Sequence, residues 1–290
     1  MQLHGALMLF GASFFWGTTF VAQVDGMGEL GPFSYAAARY FIGFLSMLAV
    51  MYFTHEQRFK ERRAGKYGRG FLAGIWCGIF LFLGSSFQQV ALQYTTAGKA
   101  AFITCLYIIF VPLVSKFLGK KIRTENWIGA ALSITGLYFL SIGEAFTINF
   151  GDFLLLIGAV FWTLQILTVD RFAKKVDTID LSTAQVFLTA LLSFIVMMMF
   201  ENPSWDAIFG ATIPIVYGGV MSSGVAFTLQ IYGQKYAEPS TAAILMATES
   251  IFGALSGWLL LGEVMSGREI FGCVLMLAGI IATQWRVIKN

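Results

Sequence analysis

Charge is scarce in this chain. Asp, Glu, Lys and Arg make up 12% of its 290 residues, where a soluble domain carries roughly 25%. So little charge cannot cover the surface of a globule this size, which excludes a water-soluble domain, and disorder fails on the same count. Histidine is rarer still: His4 and His55 are the only two, and both lie in polar ends. The three cysteines, Cys77, Cys105 and Cys273, show neither a disulfide framework nor metal-ligand spacing, and each reads as a small apolar residue inside an apolar run. There is no Gly-x-x-x-x-Gly-Lys-Ser/Thr phosphate loop and no loop long enough for a nucleotide domain. A net charge of +3, scattered among short loops, gives no sign of nucleic-acid binding. Neither a cofactor nor a metal is expected.

What is present is apolar. Hydrophobic residues make up 57% of the chain, Phe alone supplies 29, and the mean hydropathy is +0.74. Crossing ~30 Å of hydrocarbon takes about 20 mostly apolar residues in a helix. Ten such runs occur, at about 7–24, 33–53, 70–92, 97–118, 126–143, 151–170, 181–200, 212–233, 241–261 and 268–285. No base precedes the first run, and many more runs follow it, so it reads as a retained span rather than a signal peptide. The ~10-residue alternating segments of a transmembrane barrel are absent. The expected fold is an all-α polytopic membrane protein with the lipid bilayer as its solvent.

The bases orient the spans. Of the 19 Lys and Arg residues, all but Arg39, Lys99 and Arg268 fall in the even-numbered loops or the C-terminal tail. The densest stretch is 54–69, with Arg58, Lys60, Arg62, Arg63, Lys66 and Arg69. Acids such as Asp25, Glu29, Glu144, Glu201 and Asp206 occupy the opposite loops. By the positive-inside rule both termini are cytoplasmic, which expects a multi-pass protein of the cell (inner/plasma) membrane and requires an even number of spans.

The second half repeats the first. At an offset of 143, Gly119, Gly129 and Gly136 fall on Gly262, Gly272 and Gly279. At an offset of 142, Gln88 falls on Gln230, Tyr94 on Tyr236 and Ala100-Ala101 on Ala242-Ala243. Phe15-Trp16 falls on Phe161-Trp162. Each unit, 1–145 and 146–290, holds five spans, and an odd number forces the second to enter the membrane from the opposite side. Inverted repeats of this kind give two states of similar energy, one open to each side, around a site near the bilayer midplane.

Several segments resemble the EamA-type transporters of the drug/metabolite transporter superfamily. They are Glu249-Ser-Ile-Phe-Gly-Ala-Leu-Ser-Gly-Trp-Leu-Leu-Leu-Gly-Glu263 with its glycine-spaced last span, Thr-Ala-Gly-Lys-Ala-Ala-Phe at 96–102, and Leu-Tyr-Ile-Ile-Phe-Val-Pro at 106–112. Phe-Phe-Trp-Gly-Thr-Thr-Phe in span one and Arg39 in span two also fit, so the likeness covers essentially the whole chain. It implies a ten-helix, five-plus-five inverted fold and export or exchange of small metabolites, amino acids prominent among them. Two positions depart from the pattern: Lys120 stands where many first repeats carry Glu, and Ser250 where proline often follows.

Charges and hydrogen-bonding groups inside the spans mark the candidate pathway. A charge at mid-bilayer costs about 2.5–3.5 kcal/mol on insertion scales. Glu249 is close to the middle of span nine and shares a face with Gly253 and Ser256. Two roles are open to it: a proton-carrying or amine-binding carboxylate, or a structural carboxyl bonded to a neighbouring helix. Arg39 can pair with Glu249 or a substrate carboxylate, or snorkel to the outer headgroups. Lys99 can snorkel too, or cap a cavity with Ile103 and Tyr107. Trp16, Thr19 and Gln23 follow i, i+3, i+7 in span one, and Trp162 and Gln165 repeat the start of that pattern in span six. Span three offers Ser85 and Gln88, and span eight offers Ser223 and Gln230. Such groups would be costly facing lipid, so they should converge inward, as interhelical bonds or as the wall of a cavity suited to a small amphipathic metabolite. The leading expectation is a secondary carrier of a small-molecule substrate, with protons as a candidate coupling ion. A channel or structural subunit is the alternative, though a channel would favour polar rings about a symmetric pore. An enzyme would need clustered His, Asp or Cys near one interface, and the acids here are dispersed.

Overall fold

Each apolar run winds into a helix, the arrangement in which a single segment satisfies its own backbone inside lipid. The computed structural model describes residues 3–28, 30–65, 68–95, 97–141, 149–261 and 265–289, and no strand occurs among them. The first five rods are α1 (Leu3–Gly26), α2 (Pro32–Arg63), α3 (Phe71–Ala91), a broken rod of α4 (Ala97–Thr104) and α5 (Tyr107–Phe117), and α6 (Thr124–Ser141). The second five are α7 (Phe150–Ala173), α8 (Thr178–Phe200), a third rod preceded by the short α9 (Trp205–Gly210), a broken rod of α12 (Pro239–Met246) and α13 (Glu249–Leu261), and α14 (Gly267–Lys289). That third rod runs α10 (Thr212–Tyr217), a π-helical stretch Gly218–Ala226, and α11 (Phe227–Gln234). Among the described residues, eight stretches are long and apolar enough to cross a membrane. The remaining two rods, α6 and α14, have 18 and 23 residues, lengths that also suit a crossing.

The outer rods α6 and α14 pack on each other through glycine, and their contact records the inversion. A Cβ on Gly136 would lie 2.5 Å from the Gly272 carbonyl oxygen, and one on Gly272 would lie 2.5 Å from that of Gly136. Gly129 and Gly279 approach each other's carbonyls just as reciprocally, at 2.8 and 2.7 Å. Since 129 to 136 along one helix meets 279 to 272 along the other, equivalent helices run antiparallel and touch through equivalent residues. Such self-complementary contact is the signature of a two-fold axis.

The second rods, α2 and α8, form the other symmetric pair, and polar groups fasten them at both ends. At one end Glu201 accepts from the backbone of Phe33 (3.0 Å) and Ser34 (2.7 Å) and from the Ser34 hydroxyl (2.6 Å), capping the first turn of α2. At the other, Asp177 caps α8 through Ile179 and Asp180 and receives Arg58 Nε at 2.9 Å, while Arg58 also pairs with Asp180. These partners explain why α2 continues ten residues past the hydrophobic run that sequence places at 33–53: the extra turns carry Arg58 to the start of α8. Gly74 and Gly78 of α3 press on α8 near Leu181, Ala184 and Gln185, so their GxxxG spacing serves packing within the fold.

Span four and span nine, expected to be continuous, are each interrupted near the middle. Cys105-Leu106 separates α4 from α5 and Ala247-Thr248 separates α12 from α13, positions 142 residues apart. Span eight departs from the regular helix too, since its Gly219 and Gly224 let Ile42, Gly43 and Ser46 of α2 approach its π-helical turns.

Filling the α6–α14 contact tests this geometry. Gly136→Leu should destabilise the purified protein by about 1–3 kcal/mol or more through overpacking, whereas Gly267→Ala, which meets no atom within 4 Å, should leave it unchanged. Thermal unfolding of both variants in one detergent is the measurement.

Candidate functional site

The interruptions in the two broken rods put side chains where regular helices would put backbone. Tyr107 is the first residue of α5 and Glu249 the first of α13, the same position in the two repeats. The Tyr107 hydroxyl donates to Glu249 Oε1 at 3.2 Å, so the bond joins equivalent residues across the two-fold axis. Cys105 adds its thiol, 3.5 Å from the same oxygen and 3.4 Å from Ser250 Oγ. Reading Cys105 from sequence as an apolar filler therefore needs correction: the chain break turns its thiol to the carboxyl group. α1 is pressed against this point, since a Cβ on Gly17 would lie 2.5 Å from the Glu249 carbonyl oxygen and 2.8 Å from Gly253 N. The small-residue face that sequence predicts for Glu249, Gly253 and Ser256 is thus the face that meets α1.

Glu249 forms one wall of a cavity lined by Trp16, Phe20, Gln23, Arg39, Tyr40, Ser85, Gln88, Thr104, Tyr107, Trp162, Ile166, Ser222, Phe227, Gln230, Met246 and Glu249. Its volume, about 50 Å³ for the centres of water-sized molecules, holds a few waters, and a larger occupant would require the rings to part. Phe227 stands between the two tryptophans, 5.1 Å from the Trp16 ring centre and stacked 6.4 Å from that of Trp162. Arg39 is buried, with its guanidinium 4.6 Å from the centre of the Tyr40 ring and 5.6 Å from that of Tyr35. It makes no ion pair among the described residues and its Nε has no hydrogen-bond partner, so it neither pairs with Glu249 nor reaches the headgroups. The Trp16 indole nitrogen is likewise without a partner.

The sequence-selected residues divide clearly. Trp16, Gln23, Arg39, Ser85, Gln88, Tyr107, Trp162, Gln230 and Glu249 share this cavity. Three others lie behind its wall. Thr19 donates to the Phe15 carbonyl of its own helix, Ser223 donates to the Gly218 carbonyl inside the π turns, and Gln165 bonds Gln185 and Gln230. The Lys99 side chain lies outside the described residues. Sequence reasoning missed Phe20, Tyr40, Thr104, Ile166, Ser222, Phe227 and Met246. Carrying the 142-residue offset through would have supplied one of them, because Ser85 falls on Phe227; Thr104 falls on Met246, and both pairs line the cavity.

The cavity is sealed from the basic end of the bundle. Along α5 and α12, between the cavity residues Tyr107 and Met246 and the basic end, stand the fully buried Ile108, Val111, Ala243 and Ile244. Polar and aromatic groups therefore face a chamber closed on that side by hydrocarbon.

A membrane-spanning bundle of two inverted halves around such a chamber is an arrangement found among membrane transporters. The sequence profile of the EamA-like transporter family matches the chain twice, over residues 3–142 and 149–284, and the chain belongs to that family. An uncharacterized transporter of Archaeoglobus fulgidus is 28% identical over 287 residues, covering 99% of this chain and 87% of its own. The uncharacterized transporter YoaV of Bacillus subtilis is 23% identical over 274 residues, covering 91% of each. A crystal structure sharing 21% identity matches the fold with a TM-score of 0.81 over 100% of both chains.

Wall and support respond differently to substitution. Gln165→Leu leaves the amides of Gln185 and Gln230 short of a partner and should lower stability by about 1–3 kcal/mol, with little effect on the affinity of whatever ligand a thermal-shift screen identifies. Gln88→Leu should weaken that ligand at least several-fold with a smaller loss of stability. Melting curves with and without ligand separate the two.

Proposed function

We propose that this protein is a secondary exporter of small polar or amphipathic metabolites, amino acids among them, working by alternating access in the cell membrane with both termini cytoplasmic. Residues 1–145 and 146–290 are the two halves that rock about the chamber. One cavity carries a buried cation, Arg39, a carboxyl, Glu249, and an aromatic floor, which together suit a zwitterion with an apolar side chain. Arg39 receives the carboxylate. Glu249 meets the amine or holds the coupling proton, and proton and amine compete for it.

The observation that carries this reading is an unequal use of equivalent residues. Trp162 Nε1 donates to Gln88 Oε1 at 3.1 Å. The corresponding pair, Trp16 and Gln230, is unmade: Trp16 Nε1 has no partner, and Gln230 bonds Gln165 at 2.9 Å instead. Two similar halves in unlike conformations are what a carrier caught in one of its two states requires. In the opposite state the roles exchange: Trp16 bonds Gln230, and Trp162 lets go of Gln88.

Reconstitution in proteoliposomes tests the proposal. A screen of amino acids, nucleosides, sugars and amines should give saturable counterflow of at least one, and single-channel current in its place would overturn the carrier reading. Glu249→Gln should express normally, retain counterflow and lose the response of net flux to an imposed pH gradient. An unchanged response would remove Glu249 from coupling.

A further inference from the structure

A second, larger opening lies at the basic end, where α5, α6, α7, α11 and α12 finish or begin. It measures about 760 Å³ and shares no lining residue with the central cavity. Five bases face it, Lys120, Lys121, Arg123, Lys174 and Lys235, against the two carboxylates of Asp170 and Glu238. The carboxylates leave a net positive surface: Asp170 is met by Lys120 at 2.7 Å, and Glu238 by Arg123 Nε at 3.4 Å, a charge contact rather than a directed hydrogen bond.

The positive-inside rule alone would put bases here, but three further features point to a ligand. First, α12 starts at this opening with Pro239 in its first turn, and its N-cap residue Glu238 makes no side-chain cap bond. The leading amides of the helix are left uncapped at its positive pole. Second, Ser115 on α5 and Ser240 on α12 both line the opening, are at most 1% exposed, and have hydroxyl oxygens without a hydrogen-bond partner among the described residues. Third, Thr241 and Asn126 are bonded to each other (3.2 Å) and Asn126 to Glu238 (3.4 Å), which turns the Glu238 carboxylate toward α6 instead of over the helix start.

We propose that this opening binds a phosphate group. The opening is lined from different elements by groups able to donate: the Ser115 and Ser240 hydroxyls, the backbone amides of Ser240 and Thr241 (Pro239 having none), and the flanking ammonium groups. A tetrahedral oxyanion has enough acceptor oxygens to satisfy them together, whereas a carboxylate has two. A charge near −2 also matches the surplus of bases. The phosphate can belong to a soluble phosphate ester or to an anionic lipid headgroup, since the opening lies at the membrane boundary. It is separate from the translocation chamber, so it stands whether or not the transport proposal does.

Thermal unfolding of the purified full chain is the test. In neutral detergent, inorganic phosphate is titrated against chloride at constant ionic strength; in nanodiscs, phosphatidylglycerol is compared with phosphatidylcholine. A saturable rise in melting temperature with inorganic phosphate assigns the site to soluble phosphates. A rise with phosphatidylglycerol alone assigns it to headgroups. In either case Lys121→Gln combined with Lys174→Gln, both exposed side chains, should weaken the effect about tenfold. Ser240→Ala supplies a second readout. Removing an unpartnered buried hydroxyl should leave the ligand-free melting temperature equal or higher while shrinking the phosphate- or lipid-induced rise. No rise with either probe, or a rise that the lysine and serine variants leave intact, overturns the proposal.

Discussion

In hydrocarbon a polar group has no water to return to, and the interior of this bundle is organised around that cost. Most buried polar side chains are tied down locally. Ser13 donates to backbone carbonyls of its own helix and of Leu245 and Met246; Thr163, Thr183 and Thr189 bond the turn before them; Gln165 ties Gln185 to Gln230. Such bonds contribute about 0.6 kcal/mol each on average, but their absence would cost more. Against that background, Arg39 Nε and Trp16 Nε1 are buried without partners among the described residues, and both residues line the central cavity.

Symmetry decides where that chamber falls. Two rod pairs, α2 with α8 and α6 with α14, lie across the two-fold axis and are locked by capping carboxylates in one case and by bare backbone contact in the other. The broken rods meet on the same axis, which is why Tyr107 and Glu249 can bond at all: equivalent residues come together only where the axis passes. Breaking both rods at that depth frees side chains and backbone to face the axis, a use of irregular backbone that a membrane tolerates only beside a cavity.

Much of the architecture is legible in the sequence, and for identifiable reasons. Span number follows from runs of length set by the bilayer, and the inverted repeat from glycine, glutamine and tryptophan positions at nearly constant offsets. The Trp16–Gln23 stripe and the Ser85–Gln88 pair lead to the cavity because helical spacing sorts faces. Sequence does not reveal the breaks at Cys105-Leu106 and Ala247-Thr248, because neither contains glycine or proline, and the polar run Thr248-Glu249-Ser250 at the second reads equally well as a polar patch on a continuous helix. It also does not separate Gln165 from Gln230, since both are amides on inward faces and the difference lies in which neighbour reaches them first. Thr19 and Ser223 mislead for a related reason: a hydroxyl on a helix can satisfy itself on a preceding carbonyl, so its inward position says nothing of a ligand.

The departure from symmetry is as informative as the symmetry. If both halves used their Trp–Gln pairs alike, the molecule would sit at a symmetric midpoint, with its chamber closed equally toward both faces. Instead Gln88 is engaged by Trp162 while Gln230 is drawn off to Gln165. The hydrocarbon seal of Ile108, Val111, Ala243 and Ile244 stands on the side toward the basic loops. These four residues have no full counterpart at the offset of 142: Ala243 and Ile244 fall on Ala101 and Phe102, but Ile108 and Val111 fall on Ser250 and Gly253. The repeat is thus kept in part: the two Trp–Gln pairs are shared between the halves, while Phe227 stands opposite Ser85 and Glu249 opposite Tyr107, so the two sides of the chamber differ in chemistry.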